Sequence, residues 1–177
     1  MSFPFDHALA AQLKKAKPEV LREIVRQAEL RLQHSCSSTL HRDVRNLTTA
    51  LAFAAFSAAG FTAAAAGLGG GTVNLALAWM GGSLGVGMLL AAVIALWMAR
   101  PRGYYTPGNI PTMWLDDIAA GASMDDALAD TATIYQACID SNEALAKEQQ
   151  SGLMNAWFVA VTSIVVALCS GAIAAFA

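Results

Sequence analysis

Residues 47–67 read LTTALAFAAFSAAGFTAAAAG, and residues 75–98 read LALAWMGGSLGVGMLLAAVIALWM. Near the end of the chain, residues 153–175 read LMNAWFVAVTSIVVALCSGAIAA. No Asp, Glu, Lys or Arg occurs from Asn46 to Ala99 or from Ser151 to Ala177. A helix of about 20 apolar residues crosses the roughly 30 Å hydrocarbon layer of a bilayer. The sequence therefore predicts an all-α integral membrane protein with three transmembrane helices.

The composition of the whole chain excludes several other classes of protein. Of the 177 residues, 56% are hydrophobic and 14% are charged, whereas a soluble domain carries about 25% charged residues. This excludes a soluble enzyme and a disordered protein, and three cysteines do not make a disulfide framework. The pI of 5.8 and the lack of aromatic residues among the basic ones argue against a nucleic-acid partner.

The chain divides into four segments by composition. Residues 1–46 are predicted to form cytoplasmic N-terminal helices, and residues 47–98 a transmembrane hairpin whose turn lies in the glycine run around Gly70. Residues 99–150 are predicted to form a cytoplasmic loop and helix, and residues 151–177 the third transmembrane helix.

Two long helices are expected to continue from the spans into a cytoplasmic helical stalk. One begins at Pro18, a residue that suits the first helical turn. The other begins after Ser123, which forms a capping-box pattern with Asp126 and precedes a coiled-coil-like apolar stripe. The first is basic and the second acidic, so the two either pair with each other or present separate solvated faces. A short helix within 113–119 and an amphipathic one within 4–15 complete the expected elements.

The basic residues predict the orientation of the chain in a bacterial inner membrane. Arg42, Arg45, Arg100 and Arg102 flank the two outer ends of the first pair of spans, and the glycine turn between the spans carries no basic residue. Because cytoplasmic loops are enriched in Lys and Arg, the N-terminus is expected in the cytoplasm and the C-terminus outside.

Small residues are unusually frequent in the spans. Such residues let helix backbones approach closely in a membrane. They are therefore predicted to form a homo-oligomer interface, the alternative being packing within one chain. The second span carries four of them: Gly81, Gly82, Gly85 and Gly87.

The irregular loop after the second span is the place where a ligand or an interface is expected. Its arginines suit an anion and its aromatic rings suit stacking on a ring. The alternative is that the arginines and aromatic residues simply lie at the headgroups. The candidate residues are Arg100, Arg102, Tyr104, Tyr105 and Trp114.

No catalytic or metal-binding pattern is recognisable, and no cofactor is predicted. The His34, Cys36 and His41 spacing matches no common zinc site. The pairs Asp116-Asp117 and Asp125-Asp126 are better explained as acidic residues at helix N-termini than as ligands, because adjacent residues point about 100° apart on a helix. The protein is therefore predicted not to be an enzyme.

A resemblance to known proteins rests on the loop and on the helix that follows. The loop reads RPRGYYTPGNIPTMW over 100–114, and the helix carries Ala127-Leu128, Tyr135-Gln136, Ile139-Asp140 and Asn142. This resembles a type of small bacterial inner-membrane protein, and the layout is similar to the membrane effectors of anti-phage (antiviral) defence systems. The resemblance implies an oligomer that perturbs the inner membrane when triggered.

The predicted function is accordingly a non-enzymatic, oligomeric inner-membrane protein, a membrane-perturbing or channel-like effector gated through its cytoplasmic helices. The alternative is a membrane anchor or accessory subunit that recruits a cytoplasmic partner. The expected partners are membrane lipid, further copies of the chain, and a cytoplasmic protein or small-molecule trigger.

Overall fold

A computed structural model describes residues 5–69, 73–108 and 114–176, with only the backbone of Asp116. These ranges form five helices and no strand, which confirms the all-α prediction. The turn around Gly70, the predicted start of the first helix at Pro4 and Met113 of the predicted short helix lie outside the described residues. The helices are α1 (His7–Leu13), α2 (Pro18–Gly69), α3 (Leu75–Ala99), α4 (Leu115–Ala120) and α5 (Met124–Phe176).

The helix ends follow local capping chemistry. The carboxylate of Asp6 accepts hydrogen bonds from the backbone N–H groups of Ala8 and Leu9 at the start of α1. At the start of α5, the Asp126 N–H donates to the Ser123 hydroxyl at 3.1 Å, and that hydroxyl donates to the Asp126 carboxylate at 2.7 Å. The capping box read from the sequence is therefore confirmed.

Two helices are much longer than an average helix of 11–12 residues. Helix α2 has 52 residues and α5 has 53. The predicted continuation of the helix from Pro18 into the first span is confirmed, and α5 runs through Ser151 and Gly152 without a break. The first span extends to Gly69, two residues beyond the predicted end.

Three helices, α2, α3 and α5, are long and apolar enough to cross a membrane. Their most apolar windows have mean hydropathies of 1.7, 2.0 and 2.3, yet only 22%, 33% and 22% of those windows are buried. Large apolar side chains such as Trp79 and Phe158 therefore lie on the outside. A surface of this kind is compatible with a multi-pass membrane protein, because lipid covers what the chain leaves exposed.

The chain forms two compact units, each with its own core. The head unit takes the residues up to Leu40 together with Arg102–Ala146, and the bundle unit takes His41–Pro101 and Lys147–Ala177. The head core contains Leu32, Tyr135, Cys138 and Ile139. The bundle core is built mainly from small side chains together with a few larger ones: Ala50, Phe53, Met88, Ala91, Ala92, Ala95, Leu153, Ala156 and Ala160.

The apolar stripe predicted for the second long helix is buried over most of its length. Thr131, Tyr135, Cys138 and Asn142 are all buried, although two of them are polar. Met124 is exposed, so the stripe begins to pack only after the first turn of α5. Both polar members, Thr131 and Asn142, interact with other groups, as buried polar side chains generally do.

Candidate functional site

Within the head unit, the backbone of the loop that follows α3 forms hydrogen bonds with side chains of α2 and α5. The Tyr105 N–H donates to the Asn142 side-chain oxygen at 3.1 Å, and the Asn142 amide donates back to the Tyr105 carbonyl at 3.0 Å. The Cys36 thiol donates to the same carbonyl at 3.5 Å. Asn142 is only 1% exposed, so the pairing is shielded from water. We call Asn142, Cys36 and Tyr105 the loop clamp.

A second fastening holds the same loop three residues later. The Gly108 N–H donates to the Tyr135 hydroxyl at 3.2 Å, and that hydroxyl donates to the Glu29 carboxylate at 3.1 Å. Burial raises the pKa of Tyr135, which keeps the phenol protonated and able to donate. Gly108 has φ +103°, a left-handed conformation that disfavours any side chain.

One of the aromatic residues predicted for ligand binding is used for packing. The side chain of Tyr105 packs against the head core around Leu32 and Tyr135. Arg102 and Tyr104 are half-buried and each makes interactions of its own. Trp114 is half-buried and lies directly before α4. Binding of a ligand at this loop stays a prediction.

Arg100 belongs to the bundle unit, not to the head unit that holds the rest of the candidate loop residues. Its guanidinium lies 4.3 Å from the centre of the Trp97 ring, a cation–π contact. Trp97 lies in the last turn of α3 and Arg100 directly follows the helix. Trp and Arg side chains are typical of the interface between a membrane and water. This geometry favours the headgroup interpretation for Arg100.

Ion pairs connect the elements of the head unit. Lys14, which follows α1, lies 3.5 Å from Asp126 and 3.4 Å from Asp130 of α5. Arg31 of α2 pairs with Glu143 of α5 at 2.5 Å. The basic helix α2 and the acidic helix α5 therefore do contact each other, which is one of the two arrangements that the sequence left open. Exposed pairs of this kind contribute little to stability.

One buried glutamine ties together the three helices of the bundle unit. The Gln149 amide on α5 donates to the Asp43 carboxylate on α2 at 3.0 Å and to the Met98 carbonyl on α3 at 3.4 Å. Gln149 and Asn46, one turn after Asp43, are each 1% exposed. We call Asp43, Asn46, Met98 and Gln149 the bundle junction.

Two oxygen atoms in this junction are buried without a hydrogen-bond partner in the described part of the chain. They are the side-chain oxygens of Asn46 and Gln149. A buried unsatisfied acceptor costs about 1–3 kcal/mol. The junction therefore combines a contact among three helices with an uncompensated cost, which makes the packed arrangement less stable than its hydrogen bonds alone indicate.

The glycines of the second span pack mainly within one chain. A Cβ on Gly81 would lie 2.5 Å from the Ala64 nitrogen and 2.6 Å from the Gly60 carbonyl oxygen, and one on Gly85 would lie 2.9 Å from the Phe61 ring. These contacts let α2 and α3 approach closely. The Ser57 hydroxyl donates to the Gly85 carbonyl at 2.8 Å across the same contact.

The other two predicted interface glycines differ from each other. A Cβ on Gly87 would overlap the Ser163 side chain of α5, so this glycine also packs within the chain. A Cβ on Gly82 would meet nothing within 4 Å. Packing within one chain, the alternative left open by the sequence, thus accounts for Gly81, Gly85 and Gly87. Only Gly82 has free space, and its contact with another subunit stays a prediction.

The residues considered as metal ligands form no cluster in the part of the chain that the structure describes. Within the described ranges, no three His, Cys, Asp or Glu side chains lie close enough to hold a metal ion. Cys36, part of the considered zinc pattern, has its thiol on the Tyr105 carbonyl instead. The first turn of α5 holds Asp125 and Asp126, as expected for acidic residues at a helix N-terminus.

The sequence-based search for sites did not identify the residues of the bundle junction. Asn142 of the loop clamp was visible as a polar residue in an apolar stripe, a signal that a buried hydrogen bond is needed. Gln149 and Asp43 gave no such signal, because both stand among other polar residues at the edge of a charge-free span.

No known protein family, curated protein or solved structure matches this chain.

Proposed function

We propose that this chain is a non-enzymatic, homo-oligomeric protein of the bacterial inner membrane, in which a cytoplasmic head unit controls the packing of the transmembrane bundle. On a trigger, the bundle would rearrange and perturb the membrane, as a channel-like effector does. The trigger would be a cytoplasmic protein or a small molecule that acts on the head unit. The N-terminus would lie in the cytoplasm and the C-terminus outside.

The observation that carries the proposal is the continuity of α2 and α5. Each helix contributes residues to both units without an interruption, α2 over 52 residues and α5 over 53. A packed helix behaves as a rigid element, so a shift of its polar half is transmitted to its apolar half. Two such helices in one chain provide the mechanical connection that a gated bundle needs.

The bundle junction supports the proposal because it supplies an arrangement that a small force can disturb. Gln149 contacts both of the other helices, while the Asn46 and Gln149 oxygens lack partners in the described chain. A switch requires two states separated by only a few kcal/mol. Burial of these two acceptors lowers the stability of the packed state toward that range.

The low burial of the spans supports assembly into an oligomer. Most of the apolar surface of α2, α3 and α5 is not covered by the chain itself. Gly82 on α3 leaves room for a close approach by a second helix. Further copies of the chain would complete the membrane-perturbing assembly.

A membrane-potential measurement tests the proposal. The variant Gln149→Leu removes the contact among the three helices and is expected to replace the trigger, so its induced expression should depolarise cells more strongly than the wild-type chain does. The matched control is Gln150→Leu, a change on an exposed neighbouring residue, which should behave as wild type.

If Gln149→Leu reaches the membrane at wild-type levels and the potential stays intact, the effector proposal is wrong. The chain would then act as an anchor or accessory subunit that conducts nothing. Pull-down of a cytoplasmic protein by the intact chain would support that second function.

A further inference from the structure

The surface of the bundle unit contains a long apolar cleft with a single charged residue at one end. The cleft has a volume of about 730 Å³ and is lined by α2, α3 and α5. Of the described residues that line it, Arg45 alone is charged, and Thr48 and Thr49 lie next to it. We call this the Arg45 cleft.

The part of the cleft between Arg45 and Phe56 fits one leaflet of a bilayer, and the lining continues along α2 to Ala63. From Arg45 to Phe56 is eleven residues of α2, or about 16 Å at 1.5 Å per residue. Half of a roughly 30 Å hydrocarbon layer is about 15 Å. A lipid whose headgroup lies at Arg45 therefore has its acyl chain alongside Phe53, Phe56 and Trp157, which line this part of the cleft.

The aromatic residues give this part of the cleft a fixed wall. Phe53 and Trp157 meet edge to face, with ring centres 5.1 Å apart. Phe53 is buried in the bundle core, whereas Trp157 and Phe56 are exposed. A rigid apolar wall with an open side suits an extended hydrocarbon chain, which gains contact area without requiring a conformational change.

The charges at the open end favour a headgroup with a net negative charge. Arg45 forms no ion pair with any acidic residue that the structure describes, so its guanidinium can bind phosphate oxygens. The Thr48 and Thr49 hydroxyls donate to backbone carbonyls of α2. Arg45 is therefore the group at this end of the cleft that would bind the phosphate. Among the residues that the structure describes, no acidic side chain lines the cleft, so none of them would hold the ammonium group of a zwitterionic lipid.

We propose that the Arg45 cleft is a binding site for an anionic phospholipid, with the phosphate on Arg45 and one acyl chain against Phe53, Phe56 and Trp157. The inference rests on the proposed membrane insertion of the bundle. A second apolar cleft of about 840 Å³, which includes Phe61, Trp79 and Phe158, has no charged residue in its lining. It therefore lacks the selectivity for a headgroup that Arg45 provides.

Native mass spectrometry of the full-length protein tests the proposal. The protein is equilibrated with equal amounts of phosphatidylglycerol and phosphatidylcholine of the same chain length, and the retained lipids are counted. Wild type should retain the anionic lipid about fivefold in excess, the factor expected for one basic residue near an anionic lipid surface. In Arg45→Gln the ratio should fall close to one.

Arg100→Gln is the matched control, because it removes the same charge at the end of α3 from a residue outside the cleft. It should lower the ratio less than Arg45→Gln does, because Arg100 lies at the headgroups but does not line the cleft. A cleft-filling variant, Ala52→Trp, should lower the retention of both lipids. A wild-type ratio of one, or equal losses of selectivity in Arg45→Gln and Arg100→Gln, would overturn the proposal.

Vesicle flotation of the same proteins separates this outcome from failure of membrane insertion. If the chains float with phosphatidylcholine vesicles but show no preference for phosphatidylglycerol, only the lipid site is wrong. If wild type does not float with either lipid, the proposed function fails as well, and the lipid site with it.

Discussion

Gln149 on α5 donates its side-chain amide to the carboxylate of Asp43 on α2 at 3.0 Å, although the two residues are 106 positions apart. The same amide reaches the Met98 carbonyl at the end of α3. One side chain thus contacts all three helices of the bundle unit, and two oxygens beside this contact, those of Asn46 and Gln149, have no partner within the described residues. This relationship determines how the bundle should respond to substitution.

Replacing Gln149 with Leu should destabilise the bundle. The Asp43 carboxylate and the Met98 carbonyl would both lose the Gln149 amide, at about 1.5–3 and 0.5–1.5 kcal/mol, whereas removal of the unpaired Gln149 oxygen returns about 1–3 kcal/mol. A net loss of about 1 kcal/mol is therefore expected. Thermal unfolding of the purified protein in detergent measures the change, with Gln150→Leu as the exposed control. Equal stability of Gln149→Leu and wild type would show that the contact among the three helices does not hold the bundle together.

Replacing Asn46 with Leu should have the opposite sign. Its side-chain oxygen is buried without a partner in the described chain, so an apolar side chain of similar size removes a cost of about 1–3 kcal/mol. The same unfolding experiment should show a higher midpoint temperature. The variant should also depolarise cells less than wild type if the packed junction is the closed state. A lower midpoint temperature would contradict this prediction, because it would mean that the Asn46 side-chain oxygen has a hydrogen-bond partner in the folded protein.

Adjacent glycines on α3 should respond differently to alanine. Gly81→Ala should destabilise the protein by about 1–3 kcal/mol, because the new Cβ meets backbone atoms of Gly60 and Ala64 that cannot easily move. Gly82→Ala has open space and should not lower the stability. Unfolding in detergent compares the two, and equal losses would contradict the observed packing.

Oligomer mass distinguishes packing within the chain from contact between subunits. Gly82→Leu should reduce the oligomer mass measured in detergent if Gly82 faces another copy. An unchanged mass would remove Gly82 from the interface. Subunits would then have to contact one another through the exposed large apolar side chains of the spans.

The loop clamp should control local protection from hydrogen exchange. Asn142→Ala removes both hydrogen bonds to the Tyr105 backbone, so the Tyr105 amide should exchange faster by tenfold or more, corresponding to at least about 1.4 kcal/mol of local stability. Asp140→Ala is a suitable control, because Asp140 is exposed and, among the described residues, accepts a hydrogen bond from Gln136 of the same helix and not from the loop. Unchanged protection of Tyr105 in Asn142→Ala would contradict the clamp.

The attachment of α1 should depend on pH at both extremes. Asp130 raises the pKa of Lys14 above its ordinary 10.5, so this contribution is complete below 10.5 and is lost as the pH rises through the raised value. The Ser123 hydroxyl, followed by Lys14, lowers the pKa of Asp126 below its ordinary 3.8. The Ser123 hydrogen bond stabilises the start of α5, so only the Lys14 part of this shift concerns α1; that part is complete above 3.8 and is lost as the pH falls through the lowered value.

Exchange protection of the α1 amides measures this attachment. Protection should be constant across neutral pH, decrease at both extremes and decrease with added salt, because the ion pairs are exposed. Lys14→Gln should remove the salt dependence, whereas Lys15→Gln should keep it. Salt-independent protection in the wild-type chain would show that apolar packing of α1 is sufficient.

Much of the fold follows from local features of the sequence. The charge-free runs predict the three long apolar helices, and Ser123 with Asp126 predicts the start of α5, because spans and caps depend on neighbouring residues. The partners of Gln149 could not be predicted, since they lie 51 and 106 residues away. The sequence also could not predict that a side chain would clash at Gly81 but not at Gly82. Adjacent helical positions point about 100° apart, and only the packed structure shows which one meets a neighbour.

We propose that three helices cross the membrane and leave the whole head unit on the cytoplasmic side. Single cysteines introduced at Lys17 and Ser123 report on the head unit, and one at Val73 reports on the turn between α2 and α3. All three residues are exposed. The native thiols are first removed by substitution of Cys36, Cys138 and Cys169.

Labelling of intact spheroplasts with a membrane-impermeant maleimide is the most direct test. The account predicts that Val73→Cys is labelled, whereas Lys17→Cys and Ser123→Cys are labelled only after the membrane is permeabilised. Labelling of Lys17→Cys and Ser123→Cys from opposite sides of the membrane would contradict it, as would recovery of the wild-type chain in the soluble fraction.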